Sequence, residues 1–187
     1  FVLDAVAAVR DLAARARELG LDEPFVLAGD SAGGNLAALA ALELRGTDEP
    51  LVGAQLLLYP VLDAARATRS YADNAEGFYI TAAHLAWFWD MYLGARGDGD
   101  DASPVRRRRL DGAPGAVVVT AGLDPLRDEG ARYATLLAES GTDVVVLDYP
   151  QAFHGFLGFA GRLTVAAKAL EDLGTAVDSV MVGGTAR

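Results

Sequence analysis

Four short apolar runs, at residues 25–28, 52–59, 116–121 and 144–147, constrain this chain more than any other feature. They are continuous, not alternating, and rich in Val and Leu, the pattern of strands buried on both faces. Helix-length segments alternate with them: residues 32–45, residues 128–140 with Tyr133, Leu136 and Leu137 apolar and Gly141 as a stop, and a last helix from residue 163 into the 170s. An opening helix places Ala5, Val9, Leu12, Ala16 and Leu19 on one face and ends at Gly20. This order predicts βαβ units, an α/β fold with a mostly parallel sheet and helices on both faces. Residues 61–115 are the exception. They carry no strand signal and one strong helix, 81–93, with Thr81 as N-cap and Gly94 as stop. An excursion of that length is usually functional, so it is expected near the substrate pocket. No repeat or low-complexity linker interrupts the chain, and residues 1–187 read as one domain with a frayed tail at 183–187.

A glycine-rich turn, Gly29-Asp30-Ser31-Ala32-Gly33-Gly34, separates the first run from the helix after it. It contains Gly-x-Ser-x-Gly, the pattern of a nucleophile elbow. Such a turn strains the serine backbone, and its neighbours must lack bulk so that strand and helix can approach. Ala28, Gly29, Ala32, Gly33 and Gly34 are all small. The helix start offers free N–H groups and a positive dipole end, which makes the Ala32 N–H the candidate oxyanion donor. A phosphate-binding turn would carry a Gly-Lys-Ser/Thr ending, and a dinucleotide turn the Gly-x-Gly-x-x-Gly spacing. Neither is present.

A serine nucleophile needs a base, and the base needs a group to orient it. The chain has two histidines and no cysteine. His154 follows the fourth run, and loops at the carboxyl ends of parallel strands meet at one sheet edge, where Ser31 also sits. His84 lies among Leu85, Trp87 and Phe88 in a helix, where packing or surface duty is expected. The acid is expected after the third run. Asp124 precedes Pro125, which restricts it to an extended or turn conformation. Turn or cap duty is the competing reading of Asp124, although Asp128 is better placed for capping. The order Ser31, Asp124, His154 is that of α/β-hydrolases, not of chymotrypsin-like or subtilisin-like proteases.

Beyond these residues, the chain carries Asn35-Leu36, Leu58-Tyr59-Pro60, Asn74-Ala75-Glu76-Gly77-Phe78-Tyr79, Trp87-Phe88-Trp89, Ala102-Ser103-Pro104, Asp124-Pro125-Leu126-Arg127-Asp128-Glu129-Gly130 and His154-Gly155-Phe156. With these segments it resembles the hormone-sensitive-lipase-like branch of α/β-hydrolases, the bacterial family IV esterases. The resemblance implies a Ser31–His154–Asp124 triad, hydrolysis of short- to medium-chain carboxylic esters through an acyl-enzyme on Ser31, and no cofactor or metal. It implies a pocket that includes Asp30, Phe78, Trp87, Leu126 and Phe156. It also allows a homodimer through the last strand and its neighbouring helix. The alternatives are another serine hydrolase on the same fold (an amidase, peptidase or acyltransferase) or a non-catalytic truncated scaffold.

One family feature has no counterpart. No His-Gly pair precedes Ser31. The His-Gly-Gly-Gly oxyanion motif belongs about 70 residues before the elbow, but only 30 residues stand there in this chain, which starts at Phe1. The chain is therefore expected to be the C-terminal part of a longer enzyme, without the early strands and cap. Alone, it is expected to show little activity, a bare first-strand edge, and loss of cover over Trp87, Phe88 and the Phe156 side of the pocket.

Charge narrows the partners. A formal net charge of −10 argues against nucleic acid, because phosphate binding needs a clustered basic face. Arg106–Arg109 form the one basic run, expected to be solvated surface. Asp98, Asp100 and Asp101 lack the spacing of a calcium loop. No apolar run reaches the roughly 18–20 residues of a membrane span. No signal peptide is visible, and a cytoplasmic location is expected.

Overall fold

Val117, Val118 and Val119 are wholly shielded from solvent. Successive strand side chains point to opposite faces, so such a run is stable only where both faces are covered. The computed structural model, which describes residues 1–22, 24–46, 51–94 and 99–183, has that arrangement. Its elements are α1 (Val2–Ala14), α2 (Ala16–Leu19), β1 (Phe25–Asp30), α3 (Ala32–Glu43), β2 (Val52–Leu58), α4 (Arg69–Asp73) and α5 (Ala82–Leu93), then β3 (Gly115–Leu123), α6 (Arg127–Glu139), β4 (Val144–Phe153) and α7 (Thr164–Gly183). The strands bond in the order β1-β2-β3-β4, all parallel. Val117, Val119 and Ala121 pack with Ala166, Ala169 and Leu173 of α7. Ala116 and Val118 pack on the other face with Leu42 of α3 and with Tyr133 and Leu137 of α6.

All four apolar runs form strands, as their pattern predicts, but three details differ. β1 is not buried on both faces. Phe25 and Leu27 pack toward α1 and α3, whereas Val26, Ala28 and Asp30 are exposed on the other side. β4 runs well past Leu147. Ala121 pairs with Tyr149 and Leu123 with Phe153, so β4 bulges by two residues. Gly122 makes room for the bulge, because a Cβ there would lie 2.2 Å from the Pro150 carbonyl oxygen. A proline is tolerated at such a site, where the ladder is already broken. In the opening helix, Val6, Val9 and Ala16 are buried, but Leu12 and Leu19 are about 40% exposed. The helix breaks at Arg15 (φ −110°, ψ 5°), which resets the helical phase.

The excursion between β2 and β3 holds no strand among the described residues. Thr81 caps α5, its Oγ1 accepting from the His84 N–H at 3.1 Å, and Gly94 ends the helix with φ 55°. The last helix extends to Gly183, well past the 170s, and residues 184–187 of the expected frayed tail lie outside those described.

β1 and α3 come closest at Gly29. A Cβ there would lie 2.1 Å from the Gly33 carbonyl oxygen, whereas a Cβ on Gly33 would meet nothing nearer than Asp30 Oδ1 at 3.8 Å. Gly29→Ala should therefore cost about 3 kcal/mol, the upper end of the overpacking range. Gly33→Ala should stay within about 1 kcal/mol of the parent, because alanine is favoured in a helix. Chemical denaturation measures both, and equal midpoints for the two variants would contradict this packing account.

Candidate active site

Ser31 stands between β1 and α3 with φ 53° and ψ −117°, a left-handed backbone that non-glycine residues seldom adopt. Three hydrogen bonds hold it. Its N–H donates to the Leu58 carbonyl (2.9 Å), and its own carbonyl accepts from the Val61 and Asn35 N–H groups (3.1 and 3.3 Å). The conformation lifts the side chain above the carboxyl edge of the sheet. There Ser31 Oγ lies 2.9 Å from His154 Nε2, and His154 Nδ1 lies 2.8 Å from Asp124 Oδ2. Asp124 is fully buried and His154 is 5% exposed. The three residues chosen from spacing thus form one continuous hydrogen-bonded chain.

Each oxygen of Asp124 has its own partner. Oδ2 faces His154, while Oδ1 accepts from the Leu126 N–H (2.9 Å) and shapes the turn into α6. Asp128 does not cap its own helix. Its Oδ2 accepts from the Ser70 N–H of α4 (2.9 Å) and its Oδ1 from Arg127 Nε (2.8 Å). Asn74, just after α4, donates from Nδ2 to the carbonyls of Gly122 and Asp124 (3.2 and 3.1 Å), and Ser70 Oγ donates to the Pro125 carbonyl (2.5 Å). The acid loop is therefore gripped from the excursion. Sequence reasoning did not single out Ser70 or Asn74 individually, and the only signal was that Asn74 falls in a family-like segment. Tyr59 was likewise missed. Its ring meets His154 edge-on, with centroids 5.0 Å apart. Its hydroxyl pKa is pushed up to about 12 by burial, with the carboxylates of Asp30 and Asp124 adding to the effect.

A cavity of about 580 Å³ opens beside Ser31. Asp30, Ala32, Asn35 and Leu36 line it from the elbow side, and Leu85, Phe88, Trp89 and Tyr92 from α5. Ala32 opens α3, where a first-turn N–H has no carbonyl of its own helix to bind. Of the five residues expected on the pocket, only Asp30 lines this cavity. Trp87 lies on another side of α5, 58% exposed against Phe88, since positions 85, 88, 89 and 92 make the inward stripe. Leu126 is buried below, packed with Tyr71 and Leu85. Phe156 is buried in the α7 side of the core against Tyr59 and Tyr149. Phe78 is half-buried away from the lining.

The rival features lie elsewhere. His84 is exposed on α5. Three of the four arginines of the run form ion pairs: Arg106 with Asp63 (2.7 Å) and Asp100 (2.9 Å), Arg107 with Glu43 (3.4 Å), and Arg109 with Asp111 (2.6 Å). Asp98 lies outside the described residues. Among the described residues, no cluster of three or more His, Asp or Glu is placed to hold a metal ion. None of their helices is long and apolar enough to cross a membrane.

A family model described as the alpha/beta hydrolase fold matches residues 1–158. Esterase LipI of Mycobacterium tuberculosis is 36% identical over 170 residues, which are 89% of this chain and 53% of LipI. Carboxylesterase NlhH of the same organism is 36% identical over 172 residues, 89% of this chain and 54% of NlhH. A hyperthermophilic esterase from the archaeon Pyrobaculum calidifontis superimposes with a TM-score of 0.88 at 36% identity, over 95% of this chain and 60% of that one. The chain spans about half the length of the curated relatives it matches. Motif order, sheet topology and these relatives agree, and the chain belongs to the α/β-hydrolase family, in its hormone-sensitive-lipase-like branch of family IV esterases.

Proposed function

We propose that the protein is a serine carboxylesterase acting on esters of short to medium acyl chain. The observation that carries this reading is the hydrogen-bonded chain from Ser31 Oγ through His154 to a buried Asp124, set at the mouth of a largely apolar cavity. The names of the relatives, an esterase and a carboxylesterase, support the ester as substrate.

The mechanism follows from the geometry. Asp124 accepts from Nδ1–H of His154 and so leaves Nε2 free to accept the Ser31 proton. Ser31 Oγ attacks the ester carbonyl as that proton moves to His154. The Ala32 N–H, at the positive end of α3, donates to the oxyanion. His154 then protonates the departing alcohol, and the acyl group stays on Ser31. Water, deprotonated by His154, attacks the acyl-enzyme and releases the acid. Asp124 stabilises the imidazolium in both halves and is not itself protonated. The apolar walls Leu36, Val61, Leu85 and Trp89 suit a hydrocarbon chain of the substrate.

Triad and fold alone do not separate an ester from an amide, because the pocket sets the substrate. A panel of acetates and butyrates with different alcohols, together with the matching amides, separates the readings. A common turnover number across alcohols of one acid is the mark of a shared acyl-enzyme, and amides turned over as fast as esters would move the reading to an amidase.

Two substitutions test the roles. Ser31→Ala should lower turnover of p-nitrophenyl butyrate by about 10⁴-fold or more and abolish labelling by a fluorophosphonate. Asp124→Asn should lower turnover by about 10⁴-fold, since it holds the imidazole in the wrong tautomer. Turnover left within tenfold of the parent by either change would remove that residue from the mechanism.

A further inference from the structure

Glu129, in the first turn of α6, is fully buried and has no part in the proton transfers above. One of its oxygens, Oε1, accepts from the Leu62 N–H at 2.6 Å. The other, Oε2, has no partner among the described residues. Burying a carboxyl is unfavourable even where backbone donors hold it, so its place calls for a reason.

The partner supplies one. Leu62 follows Val61, and Val61 is the residue that grips the elbow. Its N–H donates to the Ser31 carbonyl (3.1 Å), and its own carbonyl accepts from Asn35 Nδ2 on the elbow helix (2.9 Å). The Ser31 carbonyl belongs to the same peptide unit as the Ala32 N–H. That unit is planar and trans, so whatever fixes the direction of the carbonyl fixes the N–H pointing the opposite way. Glu129 also sits five residues after Asp124, in a tight unit in which the Arg127 N–H bonds the Asp124 carbonyl (3.2 Å) and the Gly130 N–H that of Leu126 (3.1 Å).

We propose that Glu129 is a positioning residue for the Ser31–Ala32 peptide: it anchors Leu62, so that Val61 holds the Ser31 carbonyl and aims the Ala32 N–H at the oxyanion. The proposal rests on the serine-hydrolase reading. It makes one short stretch, residues 124–129, carry both the acid and the brace of the nucleophile. The carboxyl acts here as a hydrogen-bond acceptor. Its pKa is raised well above the usual carboxylate range, chiefly by burial and with the Asp63 and Asp124 carboxylates adding to the rise, against the lowering effect of the Leu62 and Asp63 backbone N–H groups. An amide oxygen can take the same place as acceptor of the Leu62 N–H.

The test compares Glu129→Gln, which keeps an acceptor of the same reach, with Glu129→Met, which keeps the volume and removes it. Both are read in the full chain at a temperature well below each variant's melting midpoint. Turnover, KM and the rate of fluorophosphonate labelling at Ser31 are measured together. Glu129→Gln should keep turnover and labelling rate within about threefold of the parent. Glu129→Met should lose at least about tenfold in both with KM little changed, a fraction of the 10²–10³ that loss of an oxyanion donor costs. If Glu129→Met lowers only the melting midpoint and keeps the parental turnover, Glu129 is a structural residue and the proposal falls. Where Glu129→Met does not fold, Glu129→Asp, which withdraws the carboxyl by one methylene, takes its place. Slowed labelling in the folded Asp variant supports the brace, and parental labelling overturns it. A parent protein that resists the probe overturns the serine-hydrolase reading itself, whereas a reactive parent with equally reactive variants overturns only the brace.

Discussion

The left-handed backbone of Ser31 is the constraint on which the site depends. Such a conformation costs on the order of 1–3 kcal/mol and persists only where its surroundings over-determine it. Here the missing side chain of Gly29 lets β1 and α3 approach until a Cβ would fall 2.1 Å from the Gly33 carbonyl oxygen. The Leu58 carbonyl and the Val61 and Asn35 N–H groups then fix the serine peptide on both sides. At about 1 kcal/mol each, these three bonds offset strain of that size. The strained turn is thus a consequence of the parallel sheet beside it, because β2 supplies Leu58 and the segment after it supplies Val61.

The long excursion has a physical rationale in the unequal lengths of the strands. β2 pairs with β3 only as far as Leu58 and Val119, while β3 continues to Leu123 beside β4 alone. The carbonyls of Gly122, Asp124 and Pro125 therefore lie beyond the reach of β2, and buried carbonyls need donors. Asn74 and Ser70 supply them from the excursion. The same excursion returns as α5 and forms one wall of the cavity. Its lack of strand character follows from this work at the sheet edge, where it bridges loops and does not extend the ladder.

These relations explain what could be read from the sequence. Strands and helices were legible because burial on both faces leaves continuous apolar runs, and the central runs lie where expected. Ser31, Asp124 and His154 could be singled out because the Gly-x-Ser-x-Gly turn marks the serine and parallel topology sends the ends of β1, β3 and β4 to one edge, where the structure brings the three side chains together. What depends on phase or on distant partners was not legible. The break at Arg15 decides which side of the first helix is buried, and no composition signal marks it. Pro150 and the polar residues around it hide the bulged end of β4. The inward stripe of α5 excludes Trp87 although its neighbours Phe88 and Trp89 line the cavity. Ser70, Asn74 and Glu129 bind backbone atoms far away in sequence, and such contacts leave no periodicity.

Asp30, Asp124 and Glu129 are three carboxyl groups in sharply different environments. Asp124 is buried with a donor on each oxygen, His154 on one and the Leu126 N–H on the other, so its charge is both compensated and aimed. Asp30 is exposed beside the cavity. Glu129 is buried with Oε1 on the Leu62 N–H, and burial raises its pKa well above the usual carboxylate range. If all three were equally buried and ionised, their mutual repulsion would oppose the fold, since like charges in a low-dielectric interior interact over several ångströms. Of the three, Asp124 is the one in contact with His154. In the mechanism proposed above, it faces the imidazole where a positive charge forms as Ser31 gives up its proton. Tyr59, edge-on to the same ring, senses both Asp30 and Asp124 and holds its own proton more tightly for it, so it adds bulk beside His154 without adding a further anion.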